Sequence, residues 1–204
     1  MRKPEQELAD IKSMMEQSTR FLSLSGLSGI LTGIYALIAS ALAYYWIYYP
    51  QIPVENQFHE VYHNGKITHL MLMGLALLTL TIATSWAFSR QKSKRNAHPL
   101  WTPASKRFVQ ALAIPVLSGG MFCIALIHEG QLILAFPAML LFYGTGLLNA
   151  SSFTLNNLKY LGYGQLILGV IAGFVPEWGF ALWTLGFGVF HIIYGSMIYT
   201  RYER

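Results

Sequence analysis

Six apolar stretches recur along this chain, near residues 22–49, 70–89, 108–127, 131–150, 158–175 and 178–199, and its basic residues fall in alternate gaps between them. Each stretch approaches the ~20 apolar residues that a helix needs to cross a bilayer core about 30 Å thick. Inside hydrocarbon the chain must satisfy every backbone N–H and C=O itself. Unbroken apolar runs of this length do so as helices. The pattern therefore predicts an all-α polytopic membrane bundle of six transmembrane helices.

Composition points the same way. The 204 residues are 54% hydrophobic and 11% charged, against about 25% charged residues in a soluble domain. Six spans and their connections use up the chain, so residues 1–204 are read as a single transmembrane domain. Basic residues are lopsided. Arg2, Lys3, Lys12 and Arg20 precede the first span, and Arg90, Lys92, Lys94, Arg95, Lys106 and Arg107 fill the second connection. Lys159 is in the fourth connection, and Arg201 and Arg204 end the chain, leaving Lys66 alone on the opposite side. The positive-inside rule then places both termini in the cytoplasm and the protein in the inner (plasma) membrane. The net charge of +5 flanks apolar spans, so anionic lipid headgroups explain it without nucleic acid.

Residues 1–21 read as an amphipathic helix. Pro4 suits a first turn, and Glu5, Glu7 and Asp10 favour the positive N-terminal end. Leu8, Ile11, Met15 and Leu22 recur on one face. Such a helix lies on the inner leaflet or under the bundle, or it docks a cytoplasmic protein. Residues 1–20 and the basic connection 90–107 are the two surfaces offered to such a partner.

Apolar side chains gain little by leaving lipid for one another, so membrane helices associate through close backbone approach and interhelical hydrogen bonds. Gly29 and Gly33 in the first span, and Gly169 and Gly173 in the fifth, have the small-xxx-small spacing that permits such approach. They read as contact faces within the bundle, or as a face for a second copy. Pro115 and Pro137 interrupt the third and fourth spans and predict kinks.

Two constellations could carry chemistry. His191 is deep in the last span, at roughly the depth of Gln165, Tyr143 and Thr32 in other spans. An intramembrane ionisable group is costly and faces a partner or a cavity. It is therefore either interhelical glue or a polar site for a proton, an ion or a small ligand. No Asp or Glu lies within a span, which argues against a proton-driven pump of familiar design.

The second constellation is His59-Glu60-Val61-Tyr62-His63, which matches the H-E-x-x-H pattern of zinc hydrolases. His69 falls where the extended pattern has its third His, but Lys66 holds the glycine position. Pro50 and Pro53 precede the motif and Asn64-Gly65 follows, a poor setting for the helix it needs. Three readings stand: a metalloprotease, a divalent-metal site drawing on His59, Glu60, His63, His69, His128 and Glu129, or ordinary interfacial residues. No other cofactor is expected. The chain has no glycine-rich phosphate loop, no nucleophile elbow and no C-x-x-C pair, and its one cysteine, Cys123, cannot form an internal disulfide.

Leu185-Gly-Phe-Gly-Val-Phe-His-Ile-Ile-Tyr-Gly195 with Tyr202-Glu-Arg204, and Leu22-Ser-Leu-Ser-Gly-Leu-Ser-Gly29, resemble segments of small six-span bacterial membrane proteins with no assigned activity. The resemblance implies a six-span fold and transfers no site. The leading function class is a non-enzymatic sensor, regulator or accessory subunit. A transporter with its site near His191 and Gln165 is the alternative, and an outward-facing metal-binding protein or enzyme is a third.

Overall fold

The computed structural model describes residues 25–48, 65–95, 99–154 and 157–202, with side-chain placement given for all of these except 46–48 and 202. The proposed N-terminal helix and the His59-Glu60-x-x-His63 motif lie outside the described residues. Those described are helical, with no strand among them. In chain order they form α1 (Gly26–Tyr48), α2 (Lys66–Arg95), α3 (Pro103–His128), α4 (Leu132–Ser151) and α5 (Leu158–Phe174). A last span then runs from a 3₁₀ turn (Pro176–Trp178) through α6 (Gly179–Thr184) and a π-helical turn (Leu185–Phe190) into α7 (His191–Tyr202).

Five of these helical segments are long and apolar enough to cross a membrane: those in α1, α2, α3, α4 and the last span. The remaining one, α5, has 17 residues, about 25 Å at 1.5 Å per residue. That is short of a full hydrocarbon core. The apolar surface is open to the surroundings. Ile114 is 69% exposed, Leu117 68% and Phe174 86%. Such a surface would aggregate in water and is ordinary against lipid.

Local chemistry explains the helix ends. Thr102 caps α3: its Oγ1 accepts from the Ser105 N–H at 3.1 Å, and its own N–H donates to Ser105 Oγ at 2.7 Å. This reciprocal box, with Pro103 at the first helical position, satisfies donors that a helix start leaves bare. At the other end Gly130 takes φ +76°, a left-handed conformation that favours glycine. The N–H groups of Gly130 and Gln131 donate to the carbonyls of Ile127 (3.0 Å) and Leu126 (2.7 Å), which turns the chain directly into α4.

Packing is unequal. α4 lies between α3 and α5, and the last span packs on α4, α5 and α1. α2 packs chiefly on α1. Its first turns reach Ala43 and Leu132 through Ile67, Leu70 and Met73, but none of its most apolar window is buried. Small residues set the close contacts. A Cβ on Gly195 would stand 2.5 Å from the Ile30 nitrogen and 2.6 Å from the Gly26 carbonyl oxygen. One on Gly29 would stand 3.1 Å from Gly195 Cα, and one on Gly33 would meet the Gly188 carbonyl at 2.5 Å. Gly169 packs on Leu141 of α4, whereas a Cβ on Gly173 would meet nothing within 4 Å. The helices run through Pro115 and Pro137 without a break.

Candidate functional site

Two helical segments meet at one backbone carbonyl, and a third joins them through the imidazole beside it. The carbonyl of Gly186, in the π-helical turn, accepts from Gln165 Nε2 at 2.8 Å and lies 3.0 Å from His191 Nδ1. A carbonyl can only accept, so Nδ1 carries a proton. In the neutral ring Nε2 is then the acceptor, and the Tyr143 hydroxyl donates to it at 2.8 Å. Tyr143 comes from α4, Gln165 from α5 and His191 from the start of α7. The pair of bonds on the ring thus sets its tautomer and ties α4 to the last span, and the Gln165 amide on the same carbonyl ties in α5.

The backbone makes room for this group. A Cβ at Gly186 would stand 2.5 Å from Gln165 Oε1 and 2.7 Å from Leu140 Cδ2. The amide reaches the carbonyl because that position has no side chain. Departures from regular α geometry within long helices often fall where side chains replace or supplement backbone partners.

Burial is close to complete, with Gln165 at 0% exposed and His191 at 4%. Aromatic rings pack around the imidazole. Phe187 is stacked on His191 at 5.8 Å between centroids, and Tyr143 at 5.5 Å. Trp183 adds a further ring 4.9 Å from Phe187. Two polar atoms here lack partners, Gln165 Oε1 and Trp183 Nε1, both buried. Next to this group, Thr184 Oγ1 lies 3.0 Å from Ser40 Oγ and links α6 to α1.

His191, Gln165 and Tyr143, which the sequence places at one depth, are in one hydrogen-bonded group. Thr32 is half-buried on α1, and no hydrogen bond joins it to that group among the described residues. Gly186 carries no side chain, so sequence reading passes over it although its carbonyl is the hub. Trp183, Phe187 and His191 recur four residues apart, a spacing that was available in the sequence as an aromatic face.

The histidines of the metal reading are dispersed where they are described. His69 is exposed in the first turn of α2. His128 Nδ1 lies 3.2 Å from Glu129 Oε1, with side chains 83% and 75% exposed, a surface pair of little energetic weight. Among the described residues no three His, Cys, Asp or Glu side chains gather as a metal site would require. His59, Glu60 and His63 lie outside that description.

Chemically, the buried group is a clamp. Both imidazole nitrogens are engaged, so neither offers a free lone pair or proton to a reactant. Interhelical hydrogen bonds in bilayers contribute roughly 0.6 kcal/mol each and up to about 2 kcal/mol. The chain matches no family model, no curated protein and no solved structure.

Proposed function

We propose that this chain is a non-enzymatic, six-span inner-membrane protein with both termini cytoplasmic, acting as a sensor, regulator or accessory subunit. The observation that carries the reading is the closed state of its buried polar group. His191 has both nitrogens bonded within the bundle and is 4% exposed. No carboxylate accompanies it within the spans. The short α5 counts as the fifth span because it packs along α4 and the last span, and a bilayer thins or helices adjust at modest cost. Orientation follows from the placement of Lys and Arg.

On this reading the exchange with other proteins takes place at residues 1–20 and at the basic connection 90–107. The test is chemical cross-linking in native membranes. A chain lacking residues 1–20, with Arg90, Lys92, Lys94 and Arg95 changed to Gln, loses a stoichiometric cross-linked product that the intact chain gives. Retention of the same product at the same yield defeats the assignment.

A second reading has an observation in its favour. Gln165 Oε1 and Trp183 Nε1 are buried polar atoms without partners, as expected where a small polar ligand or ion passes. His191→Cys in a Cys123→Ser background separates the two readings. Prompt labelling by a water-soluble thiol reagent in intact membranes supports a transport pathway, and protection from it supports the closed clamp.

A further inference from the structure

We infer that the basic end of α2 is a seat for one anionic phospholipid, its phosphate held by Arg90 and Lys94 above Trp86. The inference rests on α2 lying in a bilayer and is otherwise independent of the regulatory reading.

Length is the first argument. α2 has 30 residues, about 45 Å at 1.5 Å per residue. Hydrocarbon accommodates about 20 of them. The remainder must project into the headgroup zones. The last turns, with Arg90, Lys92, Lys94 and Arg95, form such a projection.

The order of side chains is the second argument. Leu78, Ile82, Trp86, Arg90 and Lys94 follow one another at four-residue steps, a ridge that winds slowly round the helix with each residue about a turn beyond the last. Leu78 is 47% exposed, Ile82 60% and Trp86 54%. The stripe runs from aliphatic to aromatic to cationic. A phospholipid has the same order, from acyl chain through the glycerol interface to phosphate.

The third argument is the seat itself. Trp86, Ala87, Arg90, Gln91 and Lys94 line a shallow, largely open groove on the surface of α2. The Arg90 guanidinium lies over the Trp86 ring, 5.3 Å from its centroid. This cation–π contact holds the guanidinium beside the ring, and among the described residues none of its N–H groups is hydrogen-bonded, so they can meet phosphate oxygens. Lys94 adds a second positive charge and Gln91 a neutral donor. Among the described residues no carboxylate pairs with Arg90 or Lys94, which leaves both cations available to an anion. Apolar contact with the chain and two cations on the head select an anionic lipid over a zwitterionic one.

The test is native mass spectrometry of the full-length protein in mild detergent, titrated with phosphatidylglycerol, phosphatidylcholine or inorganic phosphate. One phosphatidylglycerol is expected to bind at least about tenfold more tightly than phosphatidylcholine. The double variant R90Q/K94Q should lose about tenfold or more of that affinity, on the scale of interfacial Lys/Arg attraction. W86A should weaken it without changing net charge. Arg90, Lys94 and Trp86 are exposed, so circular dichroism and gel filtration should be unaltered. Lys159→Gln removes another cation, half-buried at the start of α5, and should leave affinity unchanged. Equal loss in Lys159→Gln would reduce the effect to net charge and overturn the seat. So would unchanged affinity in R90Q/K94Q, or full competition by millimolar inorganic phosphate, which would point to a soluble anion. Carbonate extraction keeps the two premises apart. Release from membranes removes the bilayer reading, whereas retention without lipid preference removes the seat alone.

Discussion

At the scale of single residues, the Tyr143–His191–Gly186–Gln165 group makes opposite predictions for two of its members. Tyr143→Phe removes the donor to His191 Nε2 and leaves a buried acceptor unsatisfied, which costs about 1–3 kcal/mol. Unfolding in mixed detergent should show a correspondingly lower midpoint. Gln165→Met is different. Oε1 has no partner, and the Gly186 carbonyl keeps the His191 donor at 3.0 Å. Removing one well-bonded amide nitrogen and one unsatisfied oxygen together, at similar volume, should change stability by less than about 1 kcal/mol. If Gln165→Met destabilised more than Tyr143→Phe, the bonding scheme would be wrong. How much of this group could be read in the sequence differs by residue. His191, Gln165 and Tyr143 were legible because polar side chains are conspicuous in apolar spans and their depths can be counted from the ends. Gly186 was not, because a carbonyl has no letter of its own. Its role depends on a local widening of the helix that no spacing rule announces.

At the scale of elements, the contact between α1 and the last span depends on missing side chains. Gly195→Ala places a methyl 2.5 Å from the Ile30 nitrogen and 2.6 Å from the Gly26 carbonyl oxygen. Both are backbone atoms, so the methyl is accommodated only by separating the helices. Overpacking of this kind costs typically 1–3 kcal/mol. The same change at Gly173, where a Cβ meets nothing within 4 Å, should be neutral or slightly stabilising, since alanine is the better helix former. Thermal aggregation midpoints of the two variants in one detergent give the comparison. Small-xxx-small spacing alone could not separate these positions. Gly29-xxx-Gly33 and Gly169-xxx-Gly173 look alike as sequence, and only the rotation of each helix decides which residue meets a neighbour. The ends of α2 illustrate a related limit. The apolar run suggested 70–89, yet the helix covers Lys66–Arg95, because charged residues continue a helix readily once they leave hydrocarbon.

At the scale of the whole molecule, the proposed threading predicts which residues a membrane-impermeant reagent reaches. With single cysteines introduced into a Cys123→Ser chain, position 92 should label only after the membrane is opened. Position 66 should label in intact cells. The reverse pattern would invert every assignment of sides, and labelling of both from one side would deny that α2 crosses. The bundle also has a loosely attached member. α2 packs chiefly on α1, and its most apolar window is the least buried of those of the long helices. That geometry is why the lipid seat is proposed there and not on α4, half of whose window is buried.

The order of amino acids by itself determined that the chain is a ladder of apolar helices. Hydrocarbon leaves the backbone no other way to satisfy its hydrogen bonds across so long an apolar run. It also marked which gaps are basic and which polar side chains are deep. The tertiary structure alone decided that Gln165 and His191 share one carbonyl while Tyr143 holds the imidazole, that Gly195 is crowded while Gly173 is open, and that α2 stands at the edge. These outcomes depend on how each helix is rotated and on which neighbour it meets. Apolar composition leaves that choice open, because lipid and protein solvate an aliphatic side chain almost equally well.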